Sequence, residues 1–102
     1  MEEQAVPLLP VKSVRRSLGW YERLGFVPEA EPVEVEGVPS TVELRRGRMR
    51  LLLSEWDYGQ PGLAWLALAD AAAVREEFGV DDDDGSFELV DLDGNRLRVV
   101  HA

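Results

Sequence analysis

The chain contains no cysteine and a single histidine, His101, which lies next to the last residue. Without cysteine there can be no disulfide bond, no thiolate nucleophile and no zinc site built on sulfur ligands. These two shortages exclude much of the chemistry on which hydrolases and metalloenzymes depend.

Basic residues are also scarce, since 11 Lys and Arg against 20 Asp and Glu give a net charge of −9. A negative surface repels phosphate backbones and favours cationic ligands, which argues against nucleic-acid binding; it also promotes solubility. No apolar run approaches the roughly 18 residues of a membrane span. The amino-terminal segment MEEQAVPLLPVK does not resemble a signal peptide. The length and composition predict one soluble, cytoplasmic domain.

What the chain does contain is a short pattern that occurs twice. The strings VELRRGRMRLL and FELVDLDGNRLRVV each predict a strand, a tight turn at a glycine and a returning strand. In this match Glu43 corresponds to Glu88 and Arg50 to Arg98. A duplicated unit of this size implies two modules that pack together around a cleft, and we place them at residues 5–54 and 62–101.

Each module is predicted to contain one helix after its first strand. Apolar residues recur at helical spacing over residues 14–24, with Ser13 as the amino-terminal cap and Gly25 as the stop. The second helix is predicted over residues 71–78, with Asp70 as its cap.

The second module is predicted to differ from the first in two places. The string LAWLAL at residues 63–68 is apolar at every position, which is typical of a strand buried on both faces. Four consecutive aspartates at residues 81–84 stand where one more strand would be expected. We interpret them as a solvated loop that shortens this module.

The strings PVKSVRRSLGWYERLGF, LAWLALAD and FELVDLDGNRLRVV, in that order, resemble the vicinal oxygen chelate superfamily of glyoxalases, extradiol dioxygenases and bleomycin resistance proteins. The third string is similar to the superfamily's terminal F-x-L-x-D-x-D-G-N signature, and WYERLGF and LAWLALAD are most similar to the bleomycin resistance branch. The resemblance implies an α+β fold in which two βαβββ modules, related by pseudo-twofold symmetry, form a curved mixed sheet around a cup. It also implies a homodimer.

The metal-dependent members of this superfamily carry His, Gln or Glu ligands on the first and last strands of each module. The resemblance places those positions on Val6, on Arg50 (or Leu52 with a register shift of two), on Ala64 and on Arg98. None of these side chains is a usual metal ligand, and an arginine in the cup would repel a cation. We therefore expect neither a metal nor another cofactor.

The cup would instead present charged and aromatic side chains to a ligand. The candidate ligand-binding residues are Glu43, Arg50, Trp56, Tyr58, Trp65, Glu88 and Arg98. Each glutamate is expected to pair with the arginine of its own hairpin, either to orient a ligand or simply to satisfy its charge. The aromatic side chains would stack on a flat or cationic compound, although Trp65 could equally line the core.

Two functions of different classes follow from these residues. The first is a metal-free binding protein that sequesters a small cationic or aromatic compound, as in antibiotic resistance. The second is a non-enzymatic interaction or structural dimer module whose cup is filled by its own side chains. A diverged glyoxalase-like enzyme ranks third, because no positioned nucleophile is visible and no catalytic residue can be assigned. An open cup lined by tryptophan would favour the first function.

Overall fold

A computed structural model describes residues 3–33, 35–57 and 59–102 of the chain. In chain order the elements are β1 (Leu8–Pro10), α1 (Val14–Arg23), β2 (Val27–Pro28), β3 (Thr41–Arg46), β4 (Met49–Ser54), β5 (Leu63–Leu68), α2 (Ala71–Phe78), β6 (Ser86–Val90) and β7 (Arg96–His101). This is an α+β fold. No helix in these described ranges is long and apolar enough to cross a membrane.

The strands form two mixed sheets. Over the described residues the first sheet has the strand order β1-β4-β3-β2 and the second has the order β5-β7-β6. In each sheet a parallel pair, β1 with β4 or β5 with β7, flanks an antiparallel hairpin. The predicted βαβββ module and its shortened repeat are therefore confirmed. The module boundaries at residues 5–54 and 62–101 remain a prediction, with which the two sheets agree.

The second sheet has no counterpart of β2 in the part of the chain that the structure describes. In its place residues 81–84 are exposed, and Asp83 forms an isolated bridge with Ser86. The strand β6 therefore lies at the edge of its sheet. A run of four aspartates cannot supply the apolar side chains that a strand at this place would need.

The two helices begin in different ways. The Ser13 side chain caps α1, because its Oγ accepts a hydrogen bond from the backbone N–H of Arg16 at 3.2 Å. Asp70 occupies the N-cap position of α2 as predicted, but its side chain makes no capping hydrogen bond. Its carboxylate instead accepts a hydrogen bond from Arg46 at the end of β3. This bond holds the pKa of Asp70 below its usual value.

The strand β5 shows how the core is built. Ala64, Leu66 and Leu68 are buried, whereas Leu63 and Trp65 are 72% and 70% exposed. The prediction that this strand is buried on both faces is wrong for the single chain. An apolar pattern shows that both faces tolerate burial, but it does not show whether the same chain covers the second face.

A buried hydrogen-bond network joins the two halves of the chain. The Tyr21 hydroxyl donates to Asp91 Oδ2 at 2.7 Å, and burial together with this bond raises the pKa of Tyr21 far above its usual value. The Asn95 side-chain amide donates to Asp91 Oδ2 and to the Pro10 carbonyl, while Asn95 Oδ1 accepts from the Gly62 N–H. The D-x-D-G-N string thus ties the β6–β7 turn to α1, β1 and β5.

Candidate functional site

In both sheets, side chains alternate between the buried core and an outward side, which we call the open face of each sheet. Five candidate residues alternate with core residues and lie on an open face: Glu43, Arg50, Trp65, Glu88 and Arg98. The period of two that characterises strands put them there, because their neighbours in the chain are the buried leucines and valines. Alternation was therefore sufficient to choose the side of the four charged residues, whereas the all-apolar pattern of β5 left the side of Trp65 open.

A pocket of about 400 Å³, which we call the β5 pocket, lies on the open face of the second sheet. It is lined by Leu63, Ala64, Trp65, Glu88 and Arg98. One wall is apolar and aromatic and the other carries one charge of each sign. Its volume lies within the range of small-molecule sites. The structure therefore brings Trp65, Glu88 and Arg98 together, as the candidate set requires.

The ion pairs around this pocket differ from the predicted ones. Glu88 lies opposite Arg98 in the strand register, yet its Oε1 pairs with Arg96 Nε at 3.0 Å. Arg98 turns the other way, where its Nε donates to Ser86 Oγ at 3.1 Å and its Nη2 lies 3.5 Å from Asp83 Oδ2. The predicted Glu88–Arg98 pair is wrong because the acidic loop offers Arg98 a second set of acceptors.

The predicted pair in the first sheet is present. Arg50 Nη1 lies 3.4 Å from Glu43 Oε1, and both side chains are about one-third exposed, at 36% and 32%. A half-exposed pair at this distance stabilises the protein only weakly, by about 0–1 kcal/mol. It lies on the first sheet, outside the β5 pocket.

The register corrects the match between the two hairpins. Leu52 lies opposite Glu43, whereas Arg98 lies opposite Glu88. If the two glutamates correspond, the counterpart of Arg98 is Leu52, and its match with Arg50 is wrong by two residues. The shift arises because the first hairpin continues for three pairs beyond Glu43, to Arg46 and Met49, whereas the second continues for two pairs beyond Glu88, to Val90 and Arg96.

Some of the positions matched to metal ligands also differ from their predicted side of the sheet. Arg50 and Arg98 lie on open faces, but Ala64 points into the core and is 6% exposed, so Leu63 and Trp65 occupy the open face of β5. The assignment of Ala64 to the cup is therefore wrong by one residue, which moves a side chain to the other face of a strand. Among the described residues, no group of three or more His, Asp or Glu side chains could hold a metal ion.

The remaining aromatic candidates lie elsewhere. Trp56 is 53% exposed and lines a separate groove at the connection between the two sheets, away from the residues of the β5 pocket. Tyr58 lies outside the described residues. The sequence analysis also missed Asp91 and Asn95 as buried network residues, although their place in the signature string could have indicated a structural role.

Comparison with solved structures supports this architecture. The structural match with a bleomycin-binding protein complexed with bleomycin covers 99% of this chain and 99% of that protein's chain, with a TM-score of 0.71 and 22% sequence identity. A bleomycin resistance determinant encoded on the transposon Tn5 covers 98% of each chain, with a TM-score of 0.71 and 24% identity. The chain has the bleomycin-resistance fold. The resemblance to the vicinal oxygen chelate superfamily is thereby confirmed at the level of the fold.

A third structure with the bleomycin-resistance fold is TnmS3, an antibiotic binding protein from Streptomyces sp. CB03234. It covers 99% of this chain and 98% of its own, with a TM-score of 0.66 and 22% identity. No protein-family model matches the sequence, and no curated protein matches it. The similarity of this chain to known proteins therefore rests on the solved structures alone.

Proposed function

We propose that this protein is a metal-free, homodimeric binding protein of the cytoplasm that sequesters a small aromatic or cationic compound in the β5 pocket. The observation that carries this proposal is Trp65, whose side chain is 70% exposed on the wall of a 400 Å³ pocket beside Glu88 and Arg98. A large aromatic side chain left open in a concave site is typical of a ligand contact. The antibiotic-binding proteins of the same fold support this reading.

The side chains of the pocket favour a ligand with a flat ring and polar groups. The Trp65 ring can stack on an aromatic ring or contact a cation, an interaction worth about 0.5–2 kcal/mol. Glu88 offers a carboxylate beside it, although this carboxylate already pairs with Arg96. Arg98 is held by Ser86, so its guanidinium is oriented before a ligand arrives.

The open pocket also favours one of the two functions that the sequence left open. A structural module with a filled cup would bury Trp65 under side chains of its own chain. Here Leu63 and Trp65 are both largely exposed, and Arg98 leans toward Asp83 and Ser86. The single chain leaves this face open, which favours binding over a self-filled cup.

We include the homodimer in the proposal because the open face of β5 carries exposed apolar side chains that a partner surface would bury. Leu63 and Trp65 on β5 expose apolar surface, as does Val90 on β6 across the intervening β7, and each sheet alone is small. A second copy of the chain is the simplest partner to bury this surface, because another copy is always present. Light scattering at micromolar concentration should give twice the monomer mass, and a monomer mass would contradict this part of the proposal.

The binding proposal is tested by titrating tryptophan fluorescence with bleomycin and with a panel of cationic aromatic compounds. A Trp65→Leu variant should lose the saturable signal, and Glu88→Gln should weaken binding of the cationic members. Every titration is made in a Trp56→Leu background, which removes the exposed tryptophan of the separate groove, and Glu43→Gln on the first sheet is the matched control for Glu88→Gln. If no compound changes the fluorescence or raises the melting temperature, the proposal fails.

A further inference from the structure

A second concave site lies where the two halves of the chain meet, and we call it the junction groove. Its volume is about 380 Å³, and it is formed by the end of β1, the connection between β4 and β5, and the β6–β7 turn. The side chains that matter below are Lys12, Glu55, Trp56, Asp57, Pro61 and Asp93. It shares no lining residue with the β5 pocket.

The walls of the junction groove are fixed by the buried Asn95. Its side chain binds the Pro10 carbonyl at 2.7 Å on one wall and the Gly62 N–H at 2.6 Å next to the other. Asp93 Oδ1 accepts a hydrogen bond from the Lys12 N–H at 3.2 Å, which joins the turn to β1. The three chain segments therefore keep their spacing without a ligand, as a preorganised site requires.

The charged side chains and the exposed tryptophan that line the groove favour a cationic ligand. Asp57 and Asp93 line the groove with two acidic side chains, against the single ammonium group of Lys12. Glu55 also lines it, but its carboxylate accepts hydrogen bonds from the backbone N–H groups of Val14 and Ser40. The Trp56 ring is about half exposed, and in the described ranges it makes neither a ring stack nor a cation–π contact. An open indole face between carboxylates is the chemistry that recognises an organic ammonium ion.

We propose that the junction groove is a second binding site, which takes a small organic ammonium compound with an apolar body. The cation would lie over the Trp56 ring with Asp57 and Asp93 beside it, and the apolar body would contact Pro61. The β5 pocket is a poorer place for such a cation, because Arg98 lines it and Arg96 occupies Glu88. This site is independent of the function proposed for the β5 pocket.

Choline is a suitable probe, with neohexyl alcohol as its uncharged counterpart of the same shape. The indole N–H signals of the protein in proton NMR report each tryptophan separately and are assigned with Trp56→Leu and Trp65→Leu variants. Choline should shift the Trp56 signal saturably, and neohexyl alcohol should not. The Trp65→Leu variant should retain this response, so the outcome does not depend on the β5 pocket.

Charge variants test the carboxylates without removing their backbone contacts. Asp57 Oδ1 accepts from the Gly59 N–H, and Asn has an oxygen that can keep this bond. The Asp57→Asn and Asp93→Asn double variant should weaken choline binding by about threefold to fivefold, as expected for exposed cation contacts. An equal response to neohexyl alcohol, a shift at Trp65 instead of Trp56, or unchanged affinity in the double variant would each overturn the proposal.

Discussion

The two sheets are built alike except for one strand, and the β5 pocket, which gathers three of the candidate residues, lies on the second. The first sheet has β2 beside its hairpin, and its open face carries the Glu43–Arg50 pair. The second sheet ends at β6, and its Arg98 binds Ser86 and Asp83. In both hairpins the glutamate pairs with the arginine two residues before the position opposite it, so the acidic loop adds acceptors for Arg98 without changing that pair. The β5 pocket places the proposed binding site in the shortened module.

A large effect is expected for the network that holds the two halves together. Asn95→Ala should lower the free energy of unfolding by about 2–4 kcal/mol, because it leaves several buried donors and acceptors without partners. Urea denaturation followed by circular dichroism measures this change. Asp82→Ala, in the exposed loop, is the control and should change stability by less than about 0.5 kcal/mol. A loss below about 1 kcal/mol in Asn95→Ala would contradict the structural role of the signature string.

The two faces of β5 should respond differently to truncation. Leu66→Ala removes a core side chain and should cost about 2–5 kcal/mol of unfolding free energy. Leu63→Ala, on the open face, should cost under about 0.5 kcal/mol in the monomer but weaken the proposed dimer. Denaturation at two protein concentrations, together with light scattering, separates these effects. Equal losses in both variants at low concentration would mean that Leu63 is covered within its own chain.

A smaller effect is expected at the Arg46–Asp70 pair, which links β3 to the start of α2. Its lowered Asp70 pKa means that the folded state binds the proton less readily than the unfolded chain. The pair therefore contributes stability above the unfolded pKa of about 3.9, and this contribution is lost as the pH falls through the folded pKa. Because Asp70 is about half exposed, at 53%, Asp70→Asn should cost under about 1 kcal/mol at pH 7. A difference from the parent protein that persists at pH 2 would argue against this ion pair as the cause.

The smallest expected effect distinguishes the two glutamates of the open faces. Glu43→Gln and Glu88→Gln each break one partly exposed pair and should cost about 0.2–1 kcal/mol. Only Glu88→Gln should alter ligand binding, because only Glu88 lines the β5 pocket. The comparison of the two sheets fails if Glu43→Gln weakens binding as strongly as Glu88→Gln does.

The fold was largely predictable because its signals are local. Helical spacing and the Ser13 cap predicted α1, and strand alternation predicted which side of each hairpin faces the core. The acidic run predicted the missing strand, since four aspartates cannot contribute to an apolar sheet. The resemblance to a superfamily predicted the order of the two modules, and solved structures of the same fold agree with it.

The site was less predictable because it depends on contacts between distant segments. The sequence identified Glu88 and Arg98 as candidates but left the side of Trp65 open, and it did not identify the partner of each charge. Arg96 and the acidic loop bind these charges, and the first hairpin has one more strand pair beyond its glutamate than the second, which shifts the register on which the match was based. Sequence composition likewise grouped Trp56 with Trp65, although they line different concavities.

Local patterning in the chain was sufficient for the α+β class, the two hairpins, the short second module and the side of each strand that meets the core. Each of these follows from side-chain size, polarity and backbone period over a few residues. Folding decided which apolar face stays open, which carboxylate each arginine binds and which tryptophan lines which pocket. These outcomes rest on how strands and loops are placed in three dimensions, which no local pattern encodes.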